Sequence, residues 1–332
     1  MTKLDRLTQH QCKVLSVLAD PEAPTLQTDA LSTFSAADLF AVAEMHGVSQ
    51  LIYRKVKASD ASTSAAMSQF LKIEKEAYRI QSGVMLDLSF RGNELSKALN
   101  AAIIHHRTVK GLTFATDLYD NANDRPYTDI DIVLPLEQMG NATHIAKGLG
   151  YIPAEKAILD HSQSNQEIKL LRPNAPHILI ELHGNLVHMR ALRRVKKIGW
   201  PELSIAYDWK SPFVGHFIIA VTHAALGHKF HNLKLMVDCL QALRRLGLDD
   251  LPYLGQLVRR FKLELEVATV LNLCGAIFVD QKIEEKARFM TAEFKLPPPI
   301  RFIRAEDVLQ APFKRSAQSR WRRRAFRLYQ LV

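Results

Sequence analysis

Residues 101–198 constrain the fold most strongly, because short apolar runs there alternate with helix-type patterns, while the rest of the chain has helical periodicity. Apolar residues recur every three or four positions through residues 1–100 and again through 199–295. The KLPPPI sequence then interrupts the helical pattern, and residues 296–332 are strongly basic. These changes in pattern predict an α/β core between two helical regions, followed by a proline break and a basic tail.

Within the central region, the order of patterns predicts strands and helices in alternation. AAIIHH is suited to a strand, TVKGLTFATDLY to a turn and helix, and TDIDIVL to a buried strand. LEQMGNATHIAKGLGYI has a helical period that ends at Gly148 or Gly150. QEIKLL and HILIELHG flank the turn-forming RPNAP and predict a β-hairpin. The order predicts a compact sheet with helices packed on it.

Two aspartates lie one residue apart inside the TDIDIVL strand. Because side chains alternate between the faces of a strand, Asp129 and Asp131 point the same way, and Ile130 and Ile132 point to the other face. Like charges at this spacing raise each other's pKa and destabilise the fold unless a cation compensates. Carboxylate oxygens suit Mg²⁺, which usually arrives with substrate phosphates. The pair therefore predicts a divalent metal site, with a solvated pair at a strand end as the alternative.

A third carboxylate follows in HILIELHG. Alternation places Glu181 on the face opposite Ile178, Ile180 and Leu182. If this hairpin pairs beside the aspartate strand, Glu181 completes a three-carboxylate cluster able to hold two metal ions about 3.5–4 Å apart. The alternative is an edge-strand glutamate facing solvent. The neighbouring His183 is predicted to pack or to support the site rather than to bind metal.

A Lys-Gly turn precedes the aspartate strand by about twenty residues. Gly111 lets a phosphate approach the backbone closely, a helix N-terminus offers unpaired N–H groups, and Lys110 adds a positive charge. The turn therefore predicts a site for the phosphates of a nucleotide.

The order of these motifs resembles the uncharacterised nucleotidyltransferase family within the polymerase-β superfamily. The resemblance covers roughly residues 36–250. The matching positions are Lys110, Gly111, Tyr119, Arg125, Asp129, Asp131, Gly150, Tyr151, Glu181, His223, His228, Lys234 and Asp238. The sequence departs from the family's pattern at position 181, where aspartate is more usual, and from the wider superfamily at Leu112, where serine commonly follows the glycine.

The resemblance implies an α+β fold, a small mixed-sheet nucleotidyltransferase core flanked by helical regions. It implies transfer of a nucleoside monophosphate from an NTP to an acceptor, with release of pyrophosphate. Asp129, Asp131 and Glu181 would then hold Mg²⁺ or Mn²⁺. The implied nucleotide-binding residues are Lys110, Gly111, Arg125, Lys234, His223, His228 and Asp238. Positioning and charge neutralisation supply most of the rate in such chemistry, so no covalent nucleophile is required.

The C-terminal histidines and Arg125 each allow a structural interpretation. Five positions on an α-helix separate His223 from His228 by about 140°, which is unsuited to a metal-binding pair. We therefore expect them to pack against the sheet or to contact the nucleotide. Lys234 is a candidate for the triphosphate, oriented by Asp238 one turn later. For Arg125, a phosphate contact and a structural salt bridge are equally compatible with its position.

Charge and composition limit the cellular location and the partners of the protein, but they do not identify the acceptor. The formal net charge is +10, and seven basic residues with no acid lie between Lys314 and Arg327. That tail is compatible with a packed or solvated helix, with RNA such as a tRNA end, or with an anionic membrane surface. The three cysteines lack C-x-x-C spacing, which argues against a thiolate zinc site. The absence of a long apolar run predicts a cytoplasmic protein.

Other function classes remain compatible with the sequence. A non-catalytic module that retains the nucleotide pocket would bind Mg²⁺-NTP without turnover. A nuclease or phosphohydrolase would use the same acids without releasing pyrophosphate. Besides RNA, the acceptor alternatives are a small molecule, a sugar and a protein side chain.

Overall fold

The protein is described by a computed structural model covering residues 5–24, 28–154, 166–297, 302–313 and 316–331. The α-helices are α1 (Gln9–Leu18), α2 (Thr28–Leu31), α3 (Ala36–His46), α4 (Ser49–Lys57), α5 (Ala65–Ala101), α6 (Gly111–Asp117), α7 (Met139–Gly148), α8 (Arg190–Arg193), α9 (Trp200–Tyr207), α10 (Phe213–Val221), α11 (Leu233–Arg245), α12 (Leu251–Arg260), α13 (Glu264–Ile277), α14 (Gln281–Glu293), α15 (Ala305–Leu309) and α16 (Ala317–Tyr329). The strands are β1 (Arg107–Val109), β2 (Ile130–Val133), β3 (Ile152–Pro153), β4 (Glu167–Arg172) and β5 (Ala175–His183).

The N-terminal helices begin at side chains that cap them. Thr8 accepts a hydrogen bond from the Gln11 amide, and the Gln11 side chain accepts one from the Thr8 amide. Ser35 caps α3 as predicted, by accepting from the Asp38 amide at 3.1 Å. Helix α3 ends at Gly47, whose φ of +68° lies in the left-handed region that glycine tolerates best. Local sequence therefore sets where these helices begin and end.

The five strands form one mixed sheet in the order β1-β2-β5-β4-β3. Strands β4 and β5 form the predicted antiparallel hairpin, and β5 lies parallel to β2. The apolar side chains predicted to share a face, Ile130 and Ile132 on β2 with Ile178 and Ile180 on β5, are buried in one core with Leu95 of α5. The opposite face of these two strands carries the acidic side chains.

The prediction of a strand at AAIIHH is wrong. Helix α5 continues to Ala101, and the chain then turns through Ile103 at φ +56°. The Ile104 amide donates to the Leu99 carbonyl, which is typical of the end of a helix. Alanines favour helix continuation over a strand start, so the first strand begins only at Arg107.

The helices before and after the sheet share one apolar core. It joins residues such as Leu15 and Leu39 of the N-terminal region to Phe217 and Leu240 of the C-terminal region. Arg244 of α11 also binds Asp20 at 2.6 Å and Asp280 at 2.8 Å, which ties the two regions together by charge. The division of the chain into separate domains stays a prediction.

The basic tail includes a helix, α16, that packs on the protein. Arg322 pairs with Asp307 through bonds of 2.5 and 2.8 Å, and Arg323 donates to the Asp307 carbonyl at 2.6 Å. Both arginines are buried, whereas Arg320 and Arg324 are exposed. Lys314 lies outside the described residues. Part of the tail's positive charge therefore makes ion pairs and hydrogen bonds within the fold.

No helix in the described ranges carries an apolar stretch long enough to cross a lipid bilayer.

Glu74 of α5 is a buried carboxyl that should make stability depend on pH. It is 1% exposed, and burial together with repulsion from Glu44 raises its pKa from 4.5 to about 7. Between these values the folded protein binds more protons than the unfolded chain, so stability falls as pH rises from 4.5 to 7. Glu74→Gln is expected to raise the free energy of unfolding by about 2–3 kcal/mol at pH 8 and to flatten this slope. Urea unfolding across pH 4.5–8 measures both effects, and an unchanged slope would contradict the assignment.

Candidate active site

The acidic cluster arises from the register of three strands. Asp131 of β2 lies opposite Glu181 in the parallel β2–β5 pair, and Glu181 lies opposite Lys169 in the antiparallel β4–β5 pair. These three side chains therefore form one row across one face of the sheet. Asp129 precedes β2, and it lines the same cavity of about 440 Å³. The structure thus brings Asp129, Asp131 and Glu181 to one site.

Asp131 is held as a buried carboxylate. Lys110 donates to its Oδ1 at 2.6 Å, and His183 Nε2 lies 2.8 Å from the same oxygen. Burial opposes ionisation, but the Lys110 ammonium and the His183 hydrogen bond hold the pKa of Asp131 well below its usual range. Both bonds end on Oδ1, so within the described residues Oδ2 has no hydrogen-bond donor and can coordinate a cation.

Asp129 and Glu181 differ in how their charges are compensated. Burial and repulsion from Asp131 and Glu181 raise the pKa of Asp129, and no ion pair reaches its carboxylate within the described ranges. Burial also opposes the ionisation of Glu181, but hydrogen bonds from His183 and from Lys169, at 2.9 Å, lower its pKa. The uncompensated negative charge of the site therefore lies mainly at Asp129, where a divalent cation would relieve it.

The Lys-Gly turn contacts the strand that carries the aspartates. Lys110 is 6% exposed and adopts φ +52° directly before α6. A Cβ added to Gly111 would lie 3.1 Å from the Asp129 carbonyl, so a larger residue would push the turn away from β2. The turn thus places the Lys110 ammonium beside the Asp131 carboxylate.

Arg125 makes the structural salt bridge that the sequence allowed. Its guanidinium binds both oxygens of Asp238 at 3.1 and 2.9 Å, with side chains 3% and 1% exposed. Tyr119 donates to the same carboxylate at 2.8 Å. Arg125 still lines the cavity, whereas Asp238 lies behind it and is not among the lining residues.

Lys234 of α11 lines the cavity, but its hydrogen-bond partner is not the predicted one. The Asp238 carboxylate is occupied by Arg125, and the Lys234 ammonium lies 3.5 Å from the Pro126 carbonyl. Burial and the nearby Arg125 charge lower the pKa of Lys234 to about 8. The expectation that Asp238 orients Lys234 through an i, i+4 contact is therefore not met, because Asp238 is used to hold Arg125.

His223 and His228 are brought together by a π-helical segment that the sequence analysis did not anticipate. Thr222–Gly227 is π-helical, and the His228 amide donates to the His223 carbonyl five residues earlier. This winding places the two rings 4.7 Å apart, and His231 lies 4.9 Å from His228. The expectation of a 140° separation fails because it assumed α-helical winding.

The rings of His223 and His228 line the cavity. Burial and the Lys110 charge lower the pKa of His223 well below its usual range. Partial burial, His231 and Lys110 lower the pKa of His228 to about 4. Lys229 and Phe230 follow in left-handed conformations, and Arg323 of the tail helix donates to both carbonyls. The tail helix thus supports the loop that carries these histidines.

Several cavity residues were not identified from the sequence. Lys169, Glu167 and His188 line it, together with Tyr127. Alternation along QEIKLL puts Glu167 and Lys169 on the face of Glu181 once the hairpin register is known. His188 follows β5 in a segment whose pattern gives no such signal.

Comparison with known protein families gives one result over most of the chain. A family model described as "Uncharacterised nucleotidyltransferase" matches residues 32–279, about three quarters of the 332 residues. The chain belongs to this family. Membership confirms the resemblance to this family found in the sequence and supports a general nucleotidyl transfer activity. The mixed sheet flanked by helices agrees with the predicted core. Comparison with curated proteins and with solved structures gave no match.

Proposed function

We propose that the protein is a metal-dependent nucleotidyltransferase of the polymerase-β type, which moves a nucleoside monophosphate from an NTP to an acceptor. The observation that carries this proposal is the pairing of Asp131 with Glu181 across two parallel strands, in a cavity also lined by Asp129. Four cationic side chains line the same cavity: Lys110, Arg125, Lys169 and Lys234. A site with acids and cations facing one space suits a metal-bound triphosphate.

The donor set fits Mg²⁺ or Mn²⁺. Asp129 has no ion-pair partner in the described part of the chain, and its pKa is raised by burial and by its acidic neighbours. Asp131 offers Oδ2, and Glu181 adds a carboxylate whose side chain is 12% exposed. When bound, the metal would supply charge neutralisation at the phosphates. The lowered pKa of Glu181 favours a ligand role over the role of a general base.

The protein's own cations and rings would position the nucleotide. Lys234 and Arg125 line the cavity from different elements and would bind phosphate oxygens. Gly111, the first residue of α6, also lines the cavity. The uncharged His228 ring, exposed at the cavity, offers a surface on which a base can stack. Asp238 would position Arg125 rather than touch the nucleotide.

Transfer of label from α-³²P-labelled NTPs tests this proposal. The protein is incubated with each NTP, Mg²⁺ or Mn²⁺, and either total RNA or extract proteins, with Asp129→Ala/Asp131→Ala as the inactive control. We expect label on one class of macromolecule, and none with the double variant. Mg²⁺-dependent NTP binding without transfer to any macromolecular or small-molecule acceptor would instead favour a non-catalytic nucleotide-binding module.

Charge reversal of the exposed arginines of the tail tests whether RNA is the acceptor. Arg320→Glu/Arg324→Glu should leave the fold intact, since both side chains are exposed. If RNA docks on this helix, the double reversal weakens binding and flattens the slope of log K against log salt by about 1–2. Filter binding at several salt concentrations measures the slope. Lys72→Glu/Lys75→Glu, on exposed positions of α5, changes net charge equally and is the control. Equal slopes for the two variants would remove the tail from RNA recognition.

A further inference from the structure

A second group of metal-binding side chains lies beside the three carboxylates. Glu167, His183 and His188 each offer a ligand atom, and these atoms lie within 4.8 Å of one another. Glu167 faces His183 across the β4–β5 pair, and His188 follows β5. Two imidazoles and one carboxylate form a donor set unlike the all-oxygen set of Asp129, Asp131 and Glu181.

His183 carries the observation that points to a ligand. Its side chain is 0% exposed, and its Nδ1 has no hydrogen-bond partner among the described residues. A buried polar atom without a hydrogen-bond partner destabilises the folded protein, so binding of a ligand at Nδ1 would be favourable. The nearest acidic oxygen is Glu167 Oε2 at 3.9 Å, so Nδ1 faces the group formed with His188.

The other nitrogen of His183 is already fixed as zinc-binding histidines usually are. Nε2 lies 2.8 Å from Asp131 Oδ1, so in the neutral ring Nε2–H donates to this carboxylate and Nδ1 carries the lone pair. Metal-bound histidines commonly donate their second N–H to a carboxylate, which sets the tautomer and the ring orientation. The Asp131–His183 pair has this arrangement.

The separations suit a small ion. Ligand atoms bonded to tetrahedral zinc at about 2.0–2.1 Å lie about 3.3–3.4 Å from one another. Glu167 Oε2 lies 2.7 Å from His188 Nδ1 and 3.9 Å from His183 Nδ1, values on either side of that distance. Lys169 binds the other oxygen of Glu167, Oε1, at 3.3 Å and so leaves Oε2 to the histidines. The His188 side chain is 42% exposed, which gives an ion access.

We propose that Glu167, His183 and His188 bind a divalent transition metal such as Zn²⁺, at a site separate from the Mg²⁺ site. Imidazole nitrogens favour Zn²⁺ and its neighbours over Mg²⁺, which prefers oxygen. The two sites meet at Asp131, which accepts a hydrogen bond from His183 and would offer its other oxygen to the metal of the proposed nucleotide site. The transition metal would hold the His183 ring in place against Asp131.

Zinc binding by the untagged, chelator-stripped protein tests the proposal without any activity assay. Zn²⁺ is titrated in competition with a chromophoric chelator, in the presence of excess Mg²⁺. We expect one equivalent to bind, with affinity at least about tenfold weaker in Glu167→Gln and in His188→Ala. Asp129→Asn should keep the wild-type affinity, which separates this site from the proposed catalytic one.

His177 provides a matched control. Its Nε2 lies 3.0 Å from Asp87 Oδ2, and both side chains are partly exposed. Among the described residues, this histidine–carboxylate pair belongs to no group of three metal-binding side chains. His177→Ala should leave Zn²⁺ affinity unchanged. Wild-type affinity in both Glu167→Gln and His188→Ala would overturn the proposal, as would the absence of bound Zn²⁺ in the folded wild-type protein. Thermal unfolding of each stripped variant verifies that it is folded.

Discussion

Asp129→Asn is expected to lower the rate of nucleotidyl transfer by about 10³-fold and to leave the metal-free protein at least as stable as the wild type. Loss of a charged metal ligand removes several kcal/mol of transition-state stabilisation, which corresponds to this factor. In the folded protein, however, the Asp129 charge is disfavoured by burial and by Asp131 and Glu181. Removing the charge relieves that repulsion. Initial rates and urea unfolding without metal measure the two effects.

Asp131→Asn is the matched comparison, because the two aspartates share a site but differ in their partners. Asp131 accepts bonds from Lys110, which is 6% exposed, and from His183, which is buried. Its loss leaves the buried Lys110 ammonium unpaired, so we expect both the activity and about 3 kcal/mol of stability to be lost. Equal destabilisation by the two variants, or wild-type activity in Asp129→Asn, would contradict the described site.

Arg125→Met is expected to reduce the free energy of unfolding by about 3–5 kcal/mol. The substitution leaves Asp238, 1% exposed, as a buried carboxylate whose only remaining side-chain donor among the described residues is the Tyr119 hydroxyl. Arg79→Met is the control, since the Arg79–Glu76 pair on α5 is 77% and 61% exposed and should contribute little to stability because solvent screens it. Urea unfolding at neutral pH compares the two losses, and similar values would contradict the structural role of Arg125.

A double variant separates the structural role of Arg125 from nucleotide binding. Replacing a buried ion pair by apolar residues of similar size is often neutral, so Arg125→Met/Asp238→Leu should recover most of the lost stability. Because Arg125 also lines the cavity, the double variant should still bind Mg²⁺-NTP more weakly than the wild type. Restored stability with wild-type NTP affinity would show that Arg125 does not contact the nucleotide.

The side of the sheet on which the acidic residues lie was predictable, because it depends on strand alternation. The period of two along TDIDIVL and HILIELHG assigned Asp131 and Glu181 to faces, and the parallel register then placed them opposite each other. The same reasoning, applied to QEIKLL, would have found Lys169. The faces of the strands could therefore be deduced from the sequence, while the neighbours across the sheet required the register.

The remaining features depended on contacts between distant residues or on irregular winding. The Arg125–Asp238 pair joins positions 113 residues apart, and no local pattern marks such a pair. The edge-to-face contact of His223 with His228 required a π-helical segment, which α-helical periodicity cannot predict. The end of α5 was misplaced because the apolar AAIIHH run fits a strand and the end of a buried helix equally well.

Parallel reactions with α-³²P-labelled and γ-³²P-labelled NTP test the central claim most directly. Both labels are followed with the wild-type protein, Mg²⁺ and the acceptor fraction, and with Asp129→Asn as the control. Nucleotidyl transfer predicts that the α-label joins the acceptor while the γ-label leaves in pyrophosphate, and that both signals depend on Asp129. Release of the γ-label as inorganic phosphate without transfer of the α-label, or its appearance on the acceptor, would contradict the account.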